Sequence, residues 1–383
     1  MRVSGLELVR GSDETQLSAD FGGLRVRFSF PPGEPVEARG GAFLALALPE
    51  AMGRGEPLHL DATLPISPVL LEHIGEVQDI YHCWNPDLQP VPVECTAVSP
   101  TPARKGAAAF YSGGIDSAYT LLAHQEEITH LVHIEGFDFV TSPAETAERT
   151  DHRRRFAERF GKVFLRVATN YREYAGQRKL EWMLVHGNCL AAIALALGFE
   201  RVFIPSSHTY SQLFPWGSHP LVDPLWSNGR TAIVHDGSGA SRIEKLRRIA
   251  ADRGLLDDIT VCWRYADRNC GTCTKCLRAL VSLHLLGLSS RAFPPLTSPR
   301  QIRSMTIQDR NERAFLEENI LLAREVGNAP VERELQRLRR RYDALDLVAS
   351  VDRLVLGHRL RGVYRRLKHQ EWLDLDVTLS PKR

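Results

Sequence analysis

Apolar and polar positions alternate in short runs over the first hundred residues, then give way to longer apolar blocks separated by charged helical segments. Leu24-Arg25-Val26-Arg27-Phe28-Ser29-Phe30 alternates without a break, the period of a half-buried strand. Residues 43–48 and 58–64 are further strand candidates, set off by turns rich in Gly, Pro and Glu. Ser67 followed by Pro68 predicts a short helix over 67–79, with Ser67 as its N-cap and Pro68 at the first helical position. The segment 1–103 therefore reads as a β-rich module that ends in a Pro/Ala/Arg/Lys/Gly linker at 100–106.

From residue 107 the pattern becomes strand, turn, helix, repeated. Strands are predicted at 107–111, 130–134, 163–167, 201–205 and 232–235. Helices are predicted from 116, over 145–160, over 179–197 with Gly198 closing it, and over 242–253. Alternation with crossover-length helices predicts an α/β fold over 104–290, a parallel sheet with helices on both faces. The remainder, 291–383, reads as an amphipathic helical region, and no internal repeat is present.

Length and composition narrow the class. At roughly 150 residues per domain, 383 residues predict two domains or a little more. A chain with 43% hydrophobic and 25% charged residues is neither disordered nor fibrous. Its longest apolar runs, 190–197 and 280–286, fall short of the ~20 residues that cross a bilayer. The start has no apolar signal region, so the expectation is a cytoplasmic protein without a membrane partner. The net charge is +2, but residues 331–383 carry 13 basic and 8 acidic side chains, a hint of an anionic partner at that end. Solvated Arg-rich helix faces explain the same excess. A homo-oligomer is compatible with all of this.

Two motifs carry chemistry. Phe110-Tyr111-Ser112-Gly113-Gly114-Ile115-Asp116-Ser117 lies between a predicted strand and a predicted helix. Two glycines let the backbone turn tightly and bring N–H groups close to an anion, and the following helix aims its positive end at the same point. Ser112 and Ser117 add hydroxyls, and Asp116 can cap the helix or hold magnesium on phosphates. The loop lacks both the Gly-Lys-Ser/Thr ending and the three-glycine dinucleotide fingerprint. The second motif is Cys262, then Cys270-Gly271-Thr272-Cys273-Thr274-Lys275-Cys276. Four of the seven cysteines in fifteen residues read as metal ligands rather than disulfides. Four thiolates suit a closed structural zinc site, with an iron–sulfur cluster as the alternative. Cys262 is expected at the end of a strand over 258–262.

The first motif resembles the signature loop of the PP-loop ATP pyrophosphatases, which cleave ATP to AMP and pyrophosphate and transfer AMP to an oxygen of their substrate. With the four cysteines downstream, residues 107–287 are similar to the 7-cyano-7-deazaguanine synthase family. That family adenylates a carboxylate, forms an amide with ammonia and dehydrates it to a nitrile. The resemblance implies a fold of the HUP/PP-loop type, with ATP, Mg2+ and structural Zn2+ as cofactors. It implies an ATP-dependent ligase or amidotransferase acting on a small-molecule, protein or nucleobase acceptor. It places ATP and pyrophosphate on Tyr111, Ser112, Gly113, Gly114, Ile115, Asp116 and Ser117, with Ile134 nearby and Asp116 and Ser117 as the catalytic pair. Sulfur transfer to a nucleobase or tRNA is a second reading, with Cys189 as a stray carrier, and a non-catalytic nucleotide-binding module is a third.

Three smaller groups complete the candidates. Arg242 and Lys245 share the face of a helix opened by Ser241 and could hold pyrophosphate, and solvated helix surface explains the pair equally well. His208, His219 and Asp223 sit in a Pro/Trp-rich loop of about twenty residues, long enough to mark a substrate loop. Cys189 lies in an apolar helical run and reads as an inert buried thiol. The chain departs from the synthase family by its N-terminal module, its helical C-terminal region and the absence of a Tyr-Pro-Asp-Cys-type segment after the fourth strand.

Overall fold

The structure, a computed structural model, describes residues 1–98, 102–137, 143–262, 264–265, 268–307 and 310–355. Within these the chain forms two compact units, Met1–Ala240 and the part of Ser241–Val377 that is described.

The first unit is built on one ten-stranded mixed sheet. Its strands are β1 (Arg2–Arg10), β2 (Thr15–Phe21), β3 (Arg25–Phe30), β4 (Leu58–Leu60), β5 (Val93–Glu94), β6 (Arg104–Phe110), β7 (Ile128–Glu135), β8 (Val163–Thr169), β9 (Phe199–Pro205) and β10 (Ala232–Asp236). They run in the order β10-β9-β6-β7-β8-β3-β2-β1-β4-β5. Its helices are α1 (Gly40–Arg54), α2 (Pro68–Trp84), α3 (Ile115–Ala123), α4 (Pro143–Arg159), α5 (Tyr171–Gln177) and α6 (Trp182–Leu197).

Strands β6 to β10 are mutually parallel, and in chain order they lie 3-2-1-4-5. The direction of winding reverses between β6 and β9, so right-handed crossovers place α3 and α4 on one face and α6 on the other. The sheet is mixed, not purely parallel, because β3 pairs antiparallel with β8 (Phe28 opposite Thr169) and β2 and β1 continue the antiparallel run. Asn170 fixes that junction, accepting from the Arg27 N–H at 2.9 Å and donating to the Arg25 carbonyl at 2.9 Å. The β-rich start of the chain is thus a continuation of the central sheet.

Residues 43–48 are not a strand. They lie in α1, which is buried on every side from Gly40 to Met52. An apolar run without period is equally compatible with a buried strand and a buried helix. Here alternating Ala and Leu, both strong helix formers, decide for the helix. The helix α6 is likewise buried from Leu184 to Leu197 and packs on α1, and each fully buried Leu in this pair stabilises the unit by ~1.5–3 kcal/mol. The pattern does not mark β1 or β2 as strands: polar Thr15 and Ser18 occupy buried positions of β2, and β1 is largely exposed, with Val3 its one buried residue.

Close approach sets one position in α6. A Cβ on Gly187 would lie 1.8 Å from the Gly217 carbonyl oxygen, so the 206–231 loop rests on this helix only because residue 187 has no side chain. Gly187→Ala is expected to cost about 3 kcal/mol or more and lower the melting temperature by roughly 5–10 °C. Gly176→Ala in α5, where nothing lies within 4 Å, is the control and should be neutral or slightly stabilising. Equal melting temperatures for the two variants would refute the packing argument.

The second unit holds α7 (Arg242–Ile249), α8 (Arg253–Leu256), α9 (Thr274–Leu285), α10 (Arg310–Glu325) and α11 (Ala329–Val355). The helix expected over 242–253 breaks after Ile249, and Asp252 caps α8 by accepting from the Leu255 N–H at 2.9 Å. Residues 258–262 form no strand. Asn269 takes the place of a neighbouring strand, accepting from the Val261 N–H at 2.8 Å and donating to the Ile259 carbonyl at 2.8 Å. Of the basic C-terminal segment, Arg333, Arg337, Arg340 and Arg341 are exposed on α11, and 356–383 lie outside the described residues. Among the described residues no helix is long and apolar enough to cross a membrane.

Candidate functional site

In the first unit β6 ends at Phe110, and the Tyr111 N–H still pairs with the Val132 carbonyl of β7 at 2.8 Å. The chain then turns at Gly113, whose φ of +81° is the left-handed region that favours glycine, and α3 begins at Ile115. Gly114 is the N-cap residue, its own N–H donating to Ser112 Oγ at 3.3 Å, and no side-chain cap hydrogen bond closes the start of the helix. Ser112 and Ser117 bracket this turn with their hydroxyls 3.4 Å apart; Ser117 donates to the Gly114 carbonyl at 3.1 Å. The loop following β9 reaches the same place, where the Ser207 hydroxyl donates to Asp116 Oδ2 at 3.4 Å. Asp236 at the end of β10 anchors α3 from the side, accepting from Thr120 at 2.7 Å and lying 2.9 Å from His124 Nε2. Tyr111, Ser112, Gly113, Gly114, Ile115, Asp116 and Ser117 are therefore gathered at the carboxyl ends of β6 and β9. Ile134, half-buried, stands opposite Val167 near the end of β7.

Two residues that the motif does not reveal adjoin the loop. Ser207 is one; its only sequence signal is a hydroxyl pair directly after β9. Arg153 is the other, on α4 and 2% exposed, with its guanidinium packed on Gly113. His133, 7% exposed, lies beside them with Nδ1 3.4 Å from the Tyr111 carbonyl. Burial and then the Arg153 guanidinium hold its imidazole down to about 4. The unfolded chain, with an ordinary histidine near 6.5, takes up a proton first, so this residue costs stability as pH falls from about 6.5 towards 4. By pH 5 the loss is about 2 kcal/mol from His133 alone. Denaturant unfolding at pH 7 and pH 5 should show it, with a smaller difference in His133→Gln. An unchanged difference in that variant would remove His133 from the account.

The three candidates of the 206–231 loop fall into two groups. His219 and Asp223 come together, the His219 N–H donating to Asp223 Oδ1 at 3.2 Å. Asp223 is fully buried and also accepts from Ser218 at 2.7 Å and lies 2.7 Å from His235 Nδ1 on β10, a partner the sequence does not announce. Burial, reinforced by His235 and opposed by Asp223, holds the His219 imidazole down to about 4. His208 instead sits among aromatic rings, 4.8 Å from Phe214 and 5.6 Å from Trp216 between ring centres.

In the second unit the four cysteines converge. The Sγ atoms of Cys262, Cys270, Cys273 and Cys276 all lie within 4.8 Å of one another, an arrangement that can hold a metal ion such as zinc. Gly271, at φ +69°, turns the chain between the first two of the close-spaced thiols, and a Cβ there would meet Pro294 at 2.4 Å. Cys273 is the N-cap of α9, its sulfur accepting from the Cys276 N–H at 3.5 Å. Burial alone would raise the Cys270 thiol, but donors from Thr272 and the Cys273 N–H hold it below the ordinary thiol value. Such donors stabilise thiolate, the form that ligates metal. Arg242 and Lys245 also belong to this unit. Arg242 lies over the Phe315 ring at 4.3 Å, its backbone N–H donates to Glu318 at 3.1 Å, and Lys245 is buried.

No family model matches the chain, and neither a curated protein nor a solved structure matches it.

Proposed function

We propose that this protein is an ATP-dependent enzyme that forms AMP and pyrophosphate, adenylating a carboxylate or amide oxygen of its acceptor for attack by ammonia or another nucleophile. The reading rests above all on the place of the Ser112 to Ser117 loop: after the first strand of a 3-2-1-4-5 parallel run, at the boundary with β9 where winding reverses. Open α/β sheets hold ligands in that crevice, outside the carboxyl ends of their strands. Backbone N–H groups at Gly113, Gly114 and the start of α3 supply donors for the departing pyrophosphate, so the protein contributes positioning and charge stabilisation. Asp116 is the carboxylate suited to hold magnesium, which when bound would neutralise phosphate charge. The sheet is then of the HUP/PP-loop type, and the acceptor, whether small molecule, protein or nucleobase, enters at the same edge.

We assign zinc to the four-cysteine centre as a structural ion, since thiolates fill every tetrahedral position and leave none for water or substrate. Elemental analysis of anaerobically purified protein should find one zinc per chain; about four irons and a brown colour would identify a cluster instead. Sulfur transfer would require a reachable carrier thiol. Cys189 is fully buried in α6, where burial pushes its thiol well above the ordinary value, and this speaks against it.

ATP–pyrophosphate exchange tests the proposal. Acceptor-dependent exchange, screened over carboxylates that include nucleobase-like acids, is the expected result. ATP that is bound but split to ADP and phosphate would overturn the reading.

A further inference from the structure

The glycine turn carries a feature that neither the motif nor the adenylation reading explains. A Cβ added to Gly113 would lie 2.0 Å from Cζ of Arg153 and 2.1 and 2.4 Å from its two terminal nitrogens. The guanidinium therefore rests directly on the bare backbone of residue 113. Arg153 is 2% exposed, and its place is set by α4: Phe156, one turn further on, stacks on Tyr111 with ring centres 4.4 Å apart and planes 15° apart. Nη1 donates to His152 Nδ1 at 3.0 Å, and the guanidinium stands 6.0 Å from the Tyr111 ring centre.

We propose that Arg153 is the anion-reading side chain of this loop, its guanidinium binding two oxygens of the pyrophosphate part of a nucleotide held on the Gly113 and Gly114 amides. This deepens the ATP reading above and rests on it. The loop itself offers neutral N–H groups, two hydroxyls and about half a positive charge from the helix end, while Asp116 brings a full negative charge. Magnesium on Asp116 would offset that carboxylate and part of the phosphate charge, and a fixed cation on the other side of the turn would offset more of it. Arg153 is packed on the turn, and its planar fork matches two phosphate oxygens at once, which an ammonium cannot do. Being buried, it meets the ligand where screening by water is weak. Gly113 then has a second reason to be glycine besides its positive φ: any side chain would push the guanidinium off the site.

Calorimetric titration of the full chain with inorganic pyrophosphate, ATP and AMP tests this, using Arg153→Met and Arg153→Lys alongside thermal melts. Arg153→Met should weaken pyrophosphate and ATP by about tenfold or more while leaving AMP within about threefold. Arg153→Lys should keep the fold and recover only part of the loss. Wild-type-like pyrophosphate binding in either folded variant overturns the inference, as does an equal loss for AMP. Should the Met variant not fold, the Lys variant alone decides by the same criterion. If the wild type binds neither ATP nor pyrophosphate, the nucleotide reading itself fails, and the two failures are thus told apart.

Discussion

Asp116→Ala is expected to lower ATP–pyrophosphate exchange by about 10²-fold or more with the melting temperature unchanged. The carboxylate lies in the first turn of α3, beside the turn that holds phosphate in the proposed reaction, and accepts from Ser207 in the loop after β9. Its removal takes away the acidic group placed to hold magnesium, and it leaves the glycine turn and the apolar side of α3 intact. Ser117→Ala should cost less, because backbone N–H groups remain at the same point, yet more than Ser207→Ala. Single-turnover assays of AMP formation by folded protein measure all three. Activity within about threefold of wild type for Asp116→Ala would remove the ATP assignment, because the loop would then be only a tight glycine turn leading into a helix.

The second large effect is on stability. Cys273→Ser removes one of four thiols but keeps a capping acceptor for α9, since the serine hydroxyl can take the bond that the sulfur accepts from the Cys276 N–H, so the loss falls on the metal site. Metal-linked stabilisation reaches ~10 kcal/mol in isolated zinc fingers; here the buried faces of α9 and α10 share the load. A fall of roughly 10 °C or more in the melting transition of the second unit is expected, with loss of stoichiometric metal. Turnover should fall only in step with the folded fraction. A variant that melts like wild type but has lost its chemistry would make the metal catalytic and the structural assignment wrong.

The sequence was most legible where one chemical demand dominates a short stretch. The strands from β6 to β10 could be read because each is a short apolar run, most deeply buried in β6, β7 and β9, set off by helical segments. The four cysteines and the Ser-Gly-Gly turn could be read because few other purposes need those residues at that spacing. The pattern misled at α1, where burial on all sides erases any period, and at β2, where Thr15 and Ser18 are polar but inward-facing. It misled again at 258–262, where one asparagine side chain supplies the hydrogen bonds of a missing strand. Ser207, His235 and Arg153 could not have been assigned from spacing at all. They reach their neighbours from 91, 12 and 40 residues away, through tertiary packing alone.

The junction between β3 and β8 has a consequence for how the protein is made. The antiparallel strands leave the ribosome first, but the strand that β3 must pair with arrives about 140 residues later. At ~5–20 residues per second, β3 waits roughly 7–30 s with an unpaired edge of alternating Val26, Phe28 and Phe30. An open strand edge is a template for another chain, and pairing over such a sequence distance is slow to form. Newborn chains should therefore be most vulnerable to sticking together before Thr169 emerges. Slowing translation within 31–162 should lower soluble yield more than the same delay placed after β8.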